Sequence, residues 1–190
     1  MSSTALLVMD VQQGIVTRFA GDVDYLPRLR RAIDAARRSS IRVIYVTVAF
    51  REGYPEISAR NKSFSSISKA GGFIAGDGAT AIPAVVAPAP GEVVVTKRRV
   101  SAFSGSDLDV LLRAGNVDTL VLTGIATSGV VLSTLRQAAD LDYRLVVLAD
   151  ACLDADAEVH RVLTEKVFPR QAEVFTVDRW VGSIGLPGAQ

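Results

Sequence analysis

The sequence predicts an α/β fold in which a parallel sheet is covered by helices on both faces. Three observations carry the prediction. Short, nearly uninterrupted apolar runs recur along the chain, among them Ala5-Leu-Leu-Val-Met9 and Glu92-Val-Val-Val-Thr96. Such runs fit strands buried on both faces, which lose the alternation of a half-exposed strand. Segments of helical period separate them, and strands alternating with helices imply βαβ units with right-handed crossovers. The chain also has 190 residues, 49% of them hydrophobic and 22% charged, enough to bury a core without disulfides or metals.

The first strand is Ala5–Met9, ending at Asp10. From about Tyr25 to Arg38, Leu26, Leu29, Ile33 and Ala36 recur at helical spacing with basic residues opposite. Ile41–Val48 reads as the second strand and Glu92–Thr96, ending at Lys97, as the third. Ser106–Ala114 reads as a helix closed by Gly115. Thr119–Gly124 is the fourth strand, Thr127–Leu141 a helix, Arg144–Ala149 the fifth strand, Ala157–Phe168 a helix and Ala172–Thr176 a short last strand. The stretch from Phe50 to Pro90 departs from this rhythm. It is rich in Gly, Pro, Ser and Ala and reads as an excursion, partly helical, near the site. There are no internal repeats, and residues 1–190 read as one domain.

Composition excludes several function classes. Lys plus Arg number 21 against 20 Asp plus Glu, a net charge of +1, so no concentrated positive field marks a nucleic-acid partner. A single Cys makes neither an intramolecular disulfide nor a zinc cage, which fits a reducing cytoplasm. The start of the chain lacks the features of a signal peptide, and no apolar run is long enough to cross a bilayer. No membrane partner is expected.

Ligands in open α/β sheets bind beyond the carboxyl ends of the strands. There the first strand delivers Asp10 and Gln12, the second Phe50 and Arg51, the third Lys97, and the fourth the loop Gly124-Ile-Ala-Thr-Ser-Gly129, which enters a helix. Asp10 and Lys97 make either an acid/base pair or a structural ion pair, and spacing alone leaves both open. The loop offers backbone N–H groups to an anion or oxyanion, with Thr127 or Ser128 as a helix cap. Neither of the two Gly-rich phosphate-binding patterns is present.

These residues, in Val8-Met-Asp-Val-Gln12, Val95-Thr-Lys97 with Ser101-Ala-Phe103, and Thr123-Gly-Ile-Ala-Thr-Ser-Gly-Val-Val-Leu-Ser-Thr134, closely resemble the isochorismatase-like hydrolase superfamily. The resemblance runs from about Thr4 to Trp180. It implies a three-layer α/β/α, Rossmann-like sandwich with a mostly parallel six-stranded sheet, in a dimer or higher homo-oligomer. Most relatives are amidases with an Asp–Lys–Cys triad. Asp10 and Lys97 match the first two. The nucleophile position, six residues after Gly124, holds Val130, which has no nucleophilic group. The only cysteine, Cys152, follows the fifth strand and reads as a small buried hydrophobe.

A second branch, the isochorismatases, cleaves a vinyl ether without Cys. By that resemblance Asp10 is the general acid and Lys97 the clamp for substrate charge. This chain departs from that branch: Ala126 stands where a Tyr is usual, and Ala49-Phe-Arg51 where a Gln is usual. Phe19, Phe50 and Phe103 suggest a partly apolar pocket for a small molecule, with Arg51 available for an acidic group. The metal-binding branch carries an Asp-x-His after the second strand. This chain has none there, and its single His160 falls in a helix far from the strand ends. No metal or cofactor is therefore expected. The resemblance also places a non-proline cis peptide at Ile125–Ala126, turning N–H groups near Ala126 and Val130 toward the site beside Ser128 and Gly129. Three readings compete: a Cys-independent hydrolase, a relative without chemistry that binds a ligand or assembles, and a cysteine-type amidase, which fails because no Cys lies in the helix after Gly124.

Overall fold

The computed structural model describes residues 3–19 and 21–184. Six strands, β1 (Thr4–Met9), β2 (Arg42–Val48), β3 (Val93–Lys97), β4 (Thr119–Ile125), β5 (Arg144–Leu153) and β6 (Glu173–Phe175), form one sheet in the order β3-β2-β1-β4-β5-β6. Every pairing is parallel. The order reverses between β1 and β4, and the crevice at such a switch point is where this architecture binds ligands.

Strand periodicity sorts the side chains into two layers of core. Leu7, Met9, Ile44, Val46, Leu120 and Leu122 face α4 (Leu108–Ala114) and α5 (Leu132–Asp140), where Leu108, Leu112, Leu135 and Ala138 meet them. Leu6, Val8, Val43, Tyr45, Val121 and Leu148 face α2 (Tyr25–Arg38) and α7 (Val177–Ile184), meeting Leu29, Ile33, Val177 and Trp180. Alternate residues of one strand thus serve opposite faces, which is why the strands read as continuous apolar runs.

Three differences from the sequence reading bear on the site. β5 runs on to Leu153, so Cys152 lies within the strand, paired with Gly124 after a register shift. The helix expected over Thr127–Leu141 begins as a π-helical turn, Thr127–Val131, before α5. Neither Thr127 nor Ser128 caps it, because the Thr127 hydroxyl is engaged elsewhere and no side-chain cap forms. The helix expected over Ala157–Phe168 is likewise broken into α6 (Ala157–Val162), a π-helical turn and a 3-10 turn.

Helix α7 extends the chain beyond the last predicted strand. The Asp150 carboxylate accepts from the Val177 N–H at its start, and Trp180 anchors it against α2. The excursion contains one regular helix, α3 (Lys62–Ala70), capped by Asn61, whose side chain accepts from the Phe64 N–H, and ended by Gly71 in the left-handed region at φ 73°. Two shorter turns precede the excursion: α1 (Gln13–Val16) and the 3-10 turn Thr17–Phe19. No helix among the described residues is long and apolar enough to cross a membrane.

Candidate active site

Asp10 ends β1 in the left-handed region at φ 56°, a conformation that is costly for a non-glycine residue and collects at functional sites. Its N–H donates to the Val46 carbonyl. Beside it, Gly124 sits at φ 140°, and a Cβ there would lie 2.1 Å from the Met9 carbonyl oxygen. Only glycine lets β4 approach the end of β1 so closely.

Lys97 ends β3, in register with Val48 of β2. Since β2 lies between β3 and β1, the lysine side chain reaches over the end of β2 to Asp10. Its Nζ lies 2.9 Å from Asp10 Oδ2 and donates to the Arg99 carbonyl at 2.9 Å. Both groups are buried, Asp10 at 6% exposure and Lys97 at 2%. Asp10 Oδ1 has no hydrogen-bond partner among the described residues. Burial pushes the Asp10 carboxyl up to about 6, and the attraction and hydrogen bond of Lys97 offset only part of that rise.

The pair forms the floor of a cavity of about 210 Å³. Val130, Gly129 and Ala126 from the loop after β4 form one wall, and Val48, Phe64, Ile67 and Phe73 another, with Ile15, Arg18 and Val100 completing the lining. Phe64 and Ile67 come from α3 and Phe73 from the residues after it, so the excursion builds part of the site. The Ile125–Ala126 peptide is cis. Val130 is 2% exposed. Ser128 does not line the cavity: its N–H donates to Asp154 Oδ2 at 2.6 Å and the residue is exposed.

The remaining candidates lie outside the cavity. Gln12 is fully buried and clamps backbone: its amide donates to the Val48 and Thr80 carbonyls and accepts from the Val48 N–H. It therefore holds the end of β2 under Lys97. Phe50 is buried behind Phe64, ring to ring at 5.7 Å. Phe103 packs in the core beside Tyr143. Phe19 lines a separate hollow with Val16, Val23 and Leu26. Arg51 is turned outward onto Glu56, with 69% of its side chain exposed. The position of His160 is a correction. Its Nδ1 lies 2.8 Å from Thr127 Oγ1, because α6 folds back against the turn after β4. Burial lowers its pKa.

Arg18 and the aromatic wall escaped the sequence reading. Phe64 and Ile67 have i, i+3 spacing between Asn61 and Gly71, and those two caps were the available signal for the helix. Nothing in the sequence marks Arg18 beyond its nearness to Asp10. Among the described residues, no cluster of His, Cys, Asp and Glu could hold a metal ion.

The model of the isochorismatase domain matches residues 4–179. The isochorismatase family protein YwoC of Bacillus subtilis is 32% identical over 182 residues, covering 95% of this chain and 94% of its own length. The ureidoacrylate amidohydrolase RutB of Stutzerimonas stutzeri is 34% identical over 208 residues, covering 96% and 80%. Among solved structures, an isochorismatase family protein from Desulfovibrio vulgaris superimposes with a TM-score of 0.87 at 26% identity, covering 98% of this chain and all of that one. N-carbamoylsarcosine amidase from Thermoplasma acidophilum gives 0.75 at 27% identity, covering 93% and 97%. A match over nearly the full length, on a fold whose switch point carries Asp10 and Lys97, establishes that this chain belongs to the isochorismatase family.

Proposed function

We propose that this chain hydrolyses a small organic substrate without a cysteine nucleophile, with Asp10 as general acid/base and Lys97 as the clamp for substrate charge. One observation carries the proposal. The cavity wall beside the Asp10–Lys97 pair is the aliphatic Val130, while the only cysteine is buried within β5 with its thiol pushed up to about 12. If Val130 holds the nucleophile's position, as the resemblance implies, that position carries a side chain that can only shape the pocket.

An acid at about 6 suits proton donation near neutrality. For a vinyl ether, Asp10 gives its proton to the enol carbon, and an oxocarbenium ion forms. Water adds to that ion, and the hemiketal collapses to an α-keto acid and an alcohol. The proton released by the water returns the balance to Asp10. Lys97 pairs with the Asp10 carboxylate once it forms and meets the substrate carboxylate before it does. N–H groups near Ala126 and Val130 would face developing negative charge during carbonyl chemistry.

The test is incubation with isochorismate, following pyruvate release, with Asp10→Asn as control. Release is expected in the wild type and lost in the variant. Since the acid form is required, kcat/KM should fall as pH rises through about 6. A rate that rises through the same pH would make Asp10 a base and the bond an ester or amide. A folded protein inert toward vinyl ethers, esters and amides would support the second reading, a ligand-binding relative, which Val130 also favours.

A further inference from the structure

The charges around the cavity do not balance. Its lining contains Asp10, Lys97 and Arg18. The first two neutralise each other when both are ionised, and protonation of Asp10 leaves the ammonium uncompensated. Either way Arg18 is surplus positive charge. Several arginines in this part of the chain are ion-paired: Arg28 with Asp22, Arg30 with Asp34, Arg37 with Glu92 and Arg51 with Glu56; of the arginines from 18 to 51 without an ion pair, only Arg18 lines the cavity. Arg18 makes no ion pair among the described residues. It stands on the 3-10 turn Thr17–Phe19 and is exposed, whereas Asp10 and Lys97 are almost wholly buried. That gradient puts the pair at the floor and Arg18 at the mouth, with Ile15, Phe64, Ile67 and Phe73 as apolar walls.

We infer that Arg18 is a specificity-determining residue that holds a carboxylate of the substrate at the cavity mouth. The substrate class is then a small organic acid that carries, besides any carboxylate met by Lys97 at the reacting end, a carboxylate separated from the hydrolysable bond by a short apolar segment. A planar guanidinium with five donors suits a carboxylate better than a point charge does. The two ends of such a molecule would find opposite needs met: charge recognition outside, proton transfer inside. About 210 Å³ limits the middle to one ring or a short chain. The inference rests on Asp10 and Lys97 marking the reacting end.

The probe is benzoate against its neutral analogue benzamide, titrated calorimetrically into wild type, Arg18→Gln and Arg18→Lys. Arg18 is exposed, so neither substitution should disturb folding. Wild type should bind benzoate about tenfold more tightly than benzamide, the size of one charge-assisted hydrogen bond. Arg18→Gln should lose that factor and the preference, and Arg18→Lys should recover part of both. Any substrate turned over should show a raised KM in Arg18→Gln with kcat little changed. Unchanged benzoate binding in Arg18→Gln, or no preference in the wild type, would overturn the inference. Binding needs no turnover, so a protein without hydrolase activity that still shows the Arg18-dependent preference sinks only the proposed reaction.

Discussion

Asp10 and Val130 both line the cavity, and the proposed chemistry rests on them. Asp10 was legible in the sequence because it ends an apolar strand, and the residue after a buried strand emerges at the ligand-binding edge. Val130 was legible only by its place in a motif; the structure puts it on the cavity wall, 2% exposed. The aromatic and cationic candidates fared differently. Phe50 and Arg51 read as pocket residues from their place at a strand end, and Phe19 and Phe103 as apolar lining, but side-chain direction past a strand end is set by the loops packed around it. Burial of Phe50 under Phe64 and the Arg51–Glu56 pair turned both away. A thiol installed by Val130→Cys should line the same cavity as Lys97, which reagents reach through its mouth. Iodoacetamide at pH 7 should alkylate that variant once, as read by intact mass, and leave the wild type unmodified. Cys152 at about 12 holds roughly one part in 10⁵ as thiolate at that pH, and it is buried as well. The swap should cost less than about 1.5 kcal/mol.

Strands β1 and β4 approach so closely at their ends that the site depends on one missing side chain. In Gly124→Ala the new Cβ would meet backbone, the Met9 carbonyl oxygen at 2.1 Å, at a φ of 140° that alanine resists. Urea denaturation should show a loss of about 3 kcal/mol or more. Gly129→Ala is the control: its Cβ would meet only Ala126 Cβ at 3.8 Å, and the cost should stay within about 1 kcal/mol. Equal costs would mean that β4 can retreat from β1. Strands and the long helix α2 were legible because their periods are strong. The length of β5 was not, since Asp150 interrupts its apolar run and the strand resumes only through a shifted pairing with Gly124 and Ile125. The π-helical turn at Thr127–Val131 was invisible for a similar reason: its partners, His160 and Asp154, lie about thirty residues away.

For the molecule as a whole, stability and pH below 7 are linked through the buried Asp10 and the half-buried His160. Asp10 has its carboxyl raised from 3.8 to about 6, so the folded chain holds a proton that the unfolded chain releases. Its contribution is complete below pH 3.8 and is lost as pH rises to about 6, a change of about 3 kcal/mol. His160 is lowered from 6.5 by burial, so its contribution is present above pH 6.5 and lost as pH falls. Urea denaturation of wild type and Asp10→Asn from pH 3.5 to 7 should show the wild type losing about 3 kcal/mol relative to the variant; a flat difference would give Asp10 an ordinary acidity. Replacing His160 by Gln should remove the acid-side loss below pH 6.5. The sequence by itself determined the six strands, the helix α2 and the two charged strand ends, because periodicity and apolar runs are local properties of the chain. Only the tertiary structure decided that Lys97 reaches across β2 to Asp10, that α3 closes the cavity and that Arg18 rather than Arg51 stands at its mouth. Those outcomes depend on contacts between residues far apart in the chain, and no local pattern encodes which side chain a loop will bury and which it will leave free.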